Sequence, residues 1–155
     1  VKLDLGCGPK KKYPDYIGID KIAFPGVDHI MDVTRKPLPF KEGEVEAVYS
    51  AHFFEHLTAL DRIKVVNELY RVMKPGAEAR ITVPNWNTAF AYGDPTHQWP
   101  PISSMWFAYL RKDWRDMNAP HTDIANWKHG YSCDFDCTEP VEFSFELTAV
   151  LIRRG

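Results

Sequence analysis

Apolar residues along this chain come in short runs that end in an acid or a glycine pair, and only one stretch shows helical spacing. Leu3-Asp4-Leu5 is the first run. It stops at Gly6-Cys7-Gly8, where two residues without side chains permit a tight loop whose backbone N–H groups can approach a ligand closely. Ile17-Gly18-Ile19-Asp20 is the second run, and His29-Ile30-Met31-Asp32-Val33, after a Pro25-Gly26 turn, is the third. Both carry an acid at or near the end. Pro37 to Glu44 read as a loop from their prolines and charges, and Val45 to Ser50 as a fourth strand. From Leu57 the apolar positions Leu60, Ile63, Val66, Leu69, Tyr70 and Met73 recur at three- and four-residue intervals, which is one face of an amphipathic helix. Thr58 and Asp61 form a capping-box pattern at its start, and Lys74-Pro75-Gly76 stop it. A fifth strand over Ala79 to Pro84 follows.

Only Pro9 to Tyr16 separate the glycine loop from the second run. An extended connection at ~3.3 Å per residue still returns the chain along so short a strand, so parallel pairing survives with the first crossover helix short or missing. The tail, Tyr131 to Thr138 and Val141 to Arg153 about Glu139-Pro140, reads as an antiparallel hairpin. The pattern therefore predicts an α/β fold: a Rossmann-like, doubly wound, mostly parallel sheet with an antiparallel C-terminal strand. Between residues 86 and 127 the alternation breaks down, and all five tryptophans (Trp86, Trp99, Trp106, Trp114, Trp127) lie there. A short helix is expected over Ser103 to Lys112. Loops of this length in a small domain are commonly functional. Residues 86–130 are thus expected to form an aromatic-rich substrate or lid insertion within a single domain spanning 1–155.

With 155 residues and 45% hydrophobic content the chain suits one core. A net charge of −2 gives no reason to expect DNA or an anionic membrane surface as a partner. Three cysteines (Cys7, Cys133, Cys137) fit a reducing compartment, and no apolar stretch approaches the ~20 residues needed to span a bilayer. With no leader pattern ahead of the first strand, a cytoplasmic location is the expectation.

The first strand with Gly6-Cys7-Gly8, Asp20, Asp32, Leu38-Pro39-Phe40, Ser50-Ala51-His52 leading into Glu55-His56-Leu57, and Leu69 to Gly76 closing the helix together resemble class I S-adenosylmethionine-dependent methyltransferases, especially the small type-11 kind. The resemblance covers residues 1 to about 85. Asp94-Pro95-Thr96-His97 is similar, more loosely, to an element of short members of the group. The resemblance implies S-adenosylmethionine as cofactor and S-adenosylhomocysteine as product. Asp4 would fix the loop and meet the cofactor's amino group, with Gly6 and Gly8 leaving room for the methionine part. Asp20 would accept both ribose hydroxyls, since an ionised carboxylate offers two acceptor oxygens. Asp32 would accept from the adenine amine, the backbone at Val33 and Ser50 completing that edge, and Ser50 to His52 would border the sulfonium.

Such a site implies methyl transfer to an O or N nucleophile of a small or medium-sized acceptor, with no metal required. For a base, His97 is the first candidate, oriented by Asp94, with His52 and His121 behind it. Trp86, Tyr92, Trp99, Trp106 and Phe107 either line the acceptor pocket or replace core lost with the missing helix. The alternative reading is a cofactor-binding module without transferase activity, a sensor or partner subunit.

Other motif readings are weaker. His52-Phe53-Phe54-Glu55-His56 matches the zinc pattern H-x-x-E-H, but the sequence places no third ligand. Cys133 and Cys137 with His129 or His121 form a weak metal pattern, and free buried thiols are the favoured reading. A nicotinamide fingerprint needs glycine where Lys11 stands. DNA amino-methyltransferases carry an Asp/Asn-Pro-Pro-aromatic tetrad, and cytosine C5 enzymes a Pro-Cys, where this chain has Ser50-Ala51-His52-Phe53.

Overall fold

In the computed structural model of the chain, residues 1–122 and 130–155 are described. Trp127 and His129 lie outside the described residues. The apolar runs form strands β1 (Lys2–Leu5), β2 (Ile17–Asp20), β3 (His29–Ile30), β4 (Val45–Ala51) and β5 (Met73–Pro84). The tail contributes β6 (Phe135–Cys137), β7 (Val141–Phe143) and β8 (Glu146–Arg153). They make one sheet in the order β3-β2-β1-β4-β5-β8-β6, with β7 also paired to β8. β1 through β5 pair in parallel, and β8 runs antiparallel to β5, β6 and β7. Strand order reverses between β1 and its neighbour β4, which opens a crevice at the carboxyl ends of the strands.

No helix fills the connection from β1 to β2, as the spacing predicts, and among the described residues none lies between β2 and β3 or β3 and β4 either. Side chains hold these loops instead. Asp4 Oδ2 accepts from the Lys12 N–H at 2.7 Å, and Asp28 Oδ2 accepts from the Gly18 N–H at 2.7 Å and from Lys11 Nζ at 2.8 Å. Burial raises the Asp4 pKa against the opposing pull of the Lys12 N–H. Gly6 has φ +69°, and a Cβ there would collide with the Phe53 side chain, so that glycine is needed for packing as much as for any ligand.

The third strand is shorter than its apolar run because Asp32 turns the chain: its Oδ1 accepts from both the Thr34 N–H and hydroxyl. Helix α1 (Ala59–Val72) crosses from β4 to β5, with the Thr58 hydroxyl accepting from the Asp61 N–H at 3.2 Å. Its buried face is Arg62, Ile63, Val65, Val66, Leu69 and Val72. Leu60, predicted to face the core, is 51% exposed in the first turn. β5 begins earlier than expected, because Met73 already pairs with Val45 and the Lys74-Pro75-Gly76 segment bulges out before pairing resumes at Glu78.

In the tail, the predicted strand over Val141 to Arg153 is itself a hairpin. Ser144 adopts φ +57°, and the chain reverses at Ser144-Phe145 between β7 and β8. β6 pairs only with the far end of β8. The middle stretch contains α2 (Ala89–Gly93), α3 (Ser104–Ala108) and α4 (Lys112–Asn118); α2 and α4 carry no periodic apolar signal. Ile102, Phe107 and Leu110 are buried and Trp106 packs against the same core, so this stretch contributes to it. Cys7, Cys133 and Cys137 are free thiols. No helix among the described residues is long and apolar enough to cross a membrane.

Arg62 ties the middle stretch to the crevice. It is 2% exposed, and donates to the carbonyls of Phe54 (2.9 Å), Pro100 (2.6 Å) and Gln98 (3.1 Å). Removing it strands these acceptors. Arg62→Met is expected to lower stability by about 3 kcal/mol, read as a shift of the urea midpoint.

Candidate functional site

Two cavities open at the carboxyl ends of the central strands and share His52 and His56. The larger, about 800 Å³, has Gly6, Asp20 and Asp32 in its wall, with Ile22, Met31, Val33, Phe53 and Leu57 supplying apolar surface. Asp20 and Asp32 thus face one cleft. Asp20 Oδ2 accepts from the Gly8 N–H at 2.9 Å and Oδ1 from the Ile22 N–H at 2.9 Å, which fixes the carboxylate while leaving a lone pair on each oxygen. The Thr34 contacts occupy Asp32 Oδ1 and hold its pKa below the usual carboxylate range. Asp32 Oδ2 takes no hydrogen bond among the described residues. Pro95, Thr96 and Gln98 close the cleft from the other side.

Three expected cofactor residues stand back from this wall. Asp4 is 3% exposed and serves the loop through Lys12. Gly8 acts on the cleft through its N–H to Asp20. The Ser50 side chain is buried and its hydroxyl donates to the Leu5 carbonyl at 3.0 Å, locking β4 to β1. Val33 lines the cleft as expected.

The smaller cavity, about 510 Å³, is walled by Pro84, Ala89 and the stacked Phe90–Phe145 pair, whose ring centroids lie 4.1 Å apart. Its polar side is His52, Glu55, His56, Asp94 and His97. His52 sits at the tip of β4 with φ +54°, a left-handed backbone rare outside glycine, and this places its ring in both cavities. Its Nδ1 is 3.4 Å from Glu55 Oε1 and its Nε2 3.4 Å from Glu146 Oε1. Glu55 above all raises the His52 pKa, burial opposes it, and Glu146 adds to the rise. The Gln98 N–H donates to the Glu55 carbonyl at 2.8 Å, which pins residues 94–98 to the 3-10 turn Phe54–His56.

The ring nitrogens of His97 and His56 can be assigned from their partners. His97 Nδ1 lies 3.1 Å from the Ala91 carbonyl, which can only accept, so Nδ1 carries a proton and in the neutral ring Nε2 is the nitrogen with the lone pair. The Thr96 hydroxyl donates its single proton to Asp94 Oδ1 at 2.7 Å, so at its 2.9 Å contact with His56 Nδ1 it must accept. In the neutral ring His56 Nε2 is therefore also the nitrogen with the lone pair. The Thr96 hydroxyl and N–H hold the Asp94 pKa low, which keeps that carboxylate ionised.

The structure brings His97, Asp94 and His52 to one cavity, while His121 is exposed and lines neither cavity. The aromatic assignment needs correction. Trp86, Tyr92 and Trp99 are exposed and Trp106 and Phe107 belong to the core; none of them lines either cavity. Phe90 and Phe145 line the smaller cavity, and nothing in the local pattern marks them. Glu55 and His56 were visible as half of H-x-x-E-H, without the partner that gives them a place. Cys133 is buried with its thiol 3.6 Å from the Leu110 carbonyl, and no metal-ligating group among the described residues contains a cysteine.

The strand order, the crevice at its reversal and the acids at the ends of successive strands define a doubly wound α/β domain with an open cleft at the switch point. A sequence profile described as a methyltransferase domain matches residues 3–81, just over half of the chain. The chain belongs to that methyltransferase family, whose cofactor is S-adenosylmethionine.

Solved structures agree in fold. An S-adenosylmethionine-dependent methyltransferase from Archaeoglobus fulgidus superposes with TM-score 0.64 at 15% identity, covering 98% of this chain and 85% of that one. The 1,6-didemethyltoxoflavin-N1-methyltransferase of Burkholderia thailandensis, solved with 1,6-didemethyltoxoflavin and S-adenosylhomocysteine bound, gives 0.64 at 10% identity over 99% and 71%. A chain from the Haloferax volcanii complex of the Trm112 methyltransferase activator with a putative methyltransferase gives 0.57 at 14% identity over 99% and 82%. No curated protein sequence matches the chain.

Proposed function

We propose that the chain transfers the methyl group of S-adenosylmethionine to an oxygen or nitrogen of a small or medium-sized acceptor held in the smaller cavity. One observation carries this: the two cavities are contiguous at His52 and His56, so a ligand in the acid-lined cleft meets a second molecule there. Bound in the larger cleft, the cofactor supplies an electrophilic methyl on a sulfonium that is already a good leaving group. The chain's own task is then to align and to exclude water. Asp20 accepts from the two ribose hydroxyls, and its clamped oxygens meet them without rearrangement. Asp32 Oδ2 is left free for the adenine amine, and the apolar side chains of Ile22, Met31 and Val33 cover the base. Asp4 acts behind them by holding the glycine loop.

On the acceptor side, the Phe90–Phe145 stack and Pro84 give an apolar seat. His97 Nε2, with its proton on the other nitrogen, offers the lone pair that deprotonates or orients the nucleophile; Asp94 Oδ2 stands 3.6 Å from it. His52, held toward its charged form between Glu55 and Glu146, is a hydrogen-bond donor at the junction rather than a base. Residues 86–130 supply Ala89, Phe90, Gly93, Asp94 and His97 to this cavity, which supports their role as an acceptor-side insertion in a single domain.

Incubating the protein with methyl-labelled S-adenosylmethionine and panels of small alcohols, amines, glycans and peptides tests the proposal. Label on a small acceptor is the expected result. Cofactor that binds tightly yet is never turned over would favour the sensor or partner-subunit reading.

A further inference from the structure

We propose that Glu55, His56 and His97 bind one first-row divalent transition-metal ion where the two cavities meet. Their ligand atoms lie within 4.8 Å of one another; Glu55 and His56 come from the H-x-x-E-H segment, whose first histidine, His52, is outside the cluster, and His97 arrives from 41 residues downstream. Both imidazoles are already set for ligation. Each holds its Nδ1 proton on a fixed acceptor, the Ala91 carbonyl for His97 and the Thr96–Asp94 pair for His56, which leaves Nε2 as the nitrogen to offer a metal. Metal-bound histidines are held in this way by outer-shell acceptors.

The carboxylate supplies independent support. Glu55 Oε2 is buried without any hydrogen-bond partner, on a side chain only 7% exposed. A buried, unpartnered carboxylate oxygen is costly. Protonating the histidines would not relieve it: His52 Nδ1 and His56 Nε2 stand 3.4 and 3.9 Å from the other oxygen, Oε1. A cation held by the carboxylate would. His56 Nε2 and His97 Nε2 meanwhile stand 3.9 Å from Glu55 Oε1 and 3.6 Å from Asp94 Oδ2, so two carboxylates favour positive charge at this point.

Two imidazoles and one carboxylate select a borderline ion such as Zn²⁺ or Fe²⁺ over Mg²⁺ or Ca²⁺, which prefer oxygen alone. Bond lengths of ~2.0–2.2 Å require the three groups to close by about 1 Å or less. Three protein ligands leave open positions, and the smaller cavity lies beside them. An ion there polarises an acceptor hydroxyl in place of direct proton acceptance by His97. That role rests on the methyl-transfer reading, whereas binding of the ion does not.

The test is a titration of the chelator-stripped full chain with Co²⁺, followed by its visible ligand-field absorption and competed with Zn²⁺, with neither cofactor nor acceptor present. One equivalent per chain is expected, with the bands of a nitrogen- and oxygen-ligated ion. Glu55→Gln, His56→Ala and His97→Ala are each expected to weaken binding at least ~100-fold, and Thr96→Val, which removes only the outer-shell hydroxyl, about 10-fold. His121→Ala leaves it unchanged. Wild-type protein that binds neither ion at submillimolar concentration overturns the proposal whatever the variants do. So does one-equivalent binding that survives both Glu55→Gln and His97→Ala. Because no cofactor is present, failure here is distinct from failure of the methyl-transfer reading.

Discussion

Asp20→Ala is expected to weaken S-adenosylhomocysteine binding about 100-fold or more. A charged hydrogen bond is worth roughly 1.5–3 kcal/mol, and Asp20 is placed to accept two from the ribose, so the loss amounts to about two decades of affinity or more. The substitution also releases the Gly8 and Ile22 N–H groups, so the glycine loop loses a strut at the same time. Asp32→Ala removes one acceptor and is expected to cost about 10-fold. Calorimetric titration of the three proteins checks both values. Equal affinities for wild type and Asp20→Ala would mean that no nucleoside sits on β2.

His97→Ala is expected to cut turnover at least ~100-fold while leaving cofactor affinity unchanged. The second half of that statement follows from placement, since His97 lines the smaller cavity and not the larger. Its ring is partly buried, with Nδ1 on the Ala91 carbonyl and Nε2 3.6 Å from Asp94 Oδ2, and it acts there by taking a proton itself or by holding an ion that does the same work. Single-turnover rates and S-adenosylhomocysteine titration, measured on the same preparation, separate the two quantities. A variant with wild-type turnover would remove His97 from the chemistry.

The front half of the site was legible because it is local. Each acid ends or closely follows a strand of a parallel sheet, and neighbouring strand ends are adjacent in space, so Asp20 and Asp32 could be placed in one cleft from their runs alone. Helix α1 was legible for the same reason, its cap and stop being encoded within a few residues of its ends. The exposed Leu60 and buried Arg62 exchange the expected roles because carbonyls from residues 54, 98 and 100 converge on that turn, and no window on the helix itself contains them.

The acceptor side depends on contacts across long separations. Phe90 meets Phe145, and His56 packs against His97 with ring centroids 4.9 Å apart, pairs set by tertiary packing and not by periodicity. Five tryptophans in one stretch drew attention to themselves, yet Trp86 and Trp99 face solvent and Trp106 fills core. The Ser50 hydroxyl is taken by the Leu5 carbonyl, a contact 45 residues away in sequence that no local pattern shows, which leaves its backbone for the part expected of it.

Titrating S-adenosylhomocysteine into the purified chain tests the central claim most directly. Saturable one-to-one binding, weakened in the order Asp20→Ala before Asp32→Ala and indifferent to His97→Ala, is the predicted result. No detectable binding at millimolar ligand, or binding that ignores both aspartates, would contradict it.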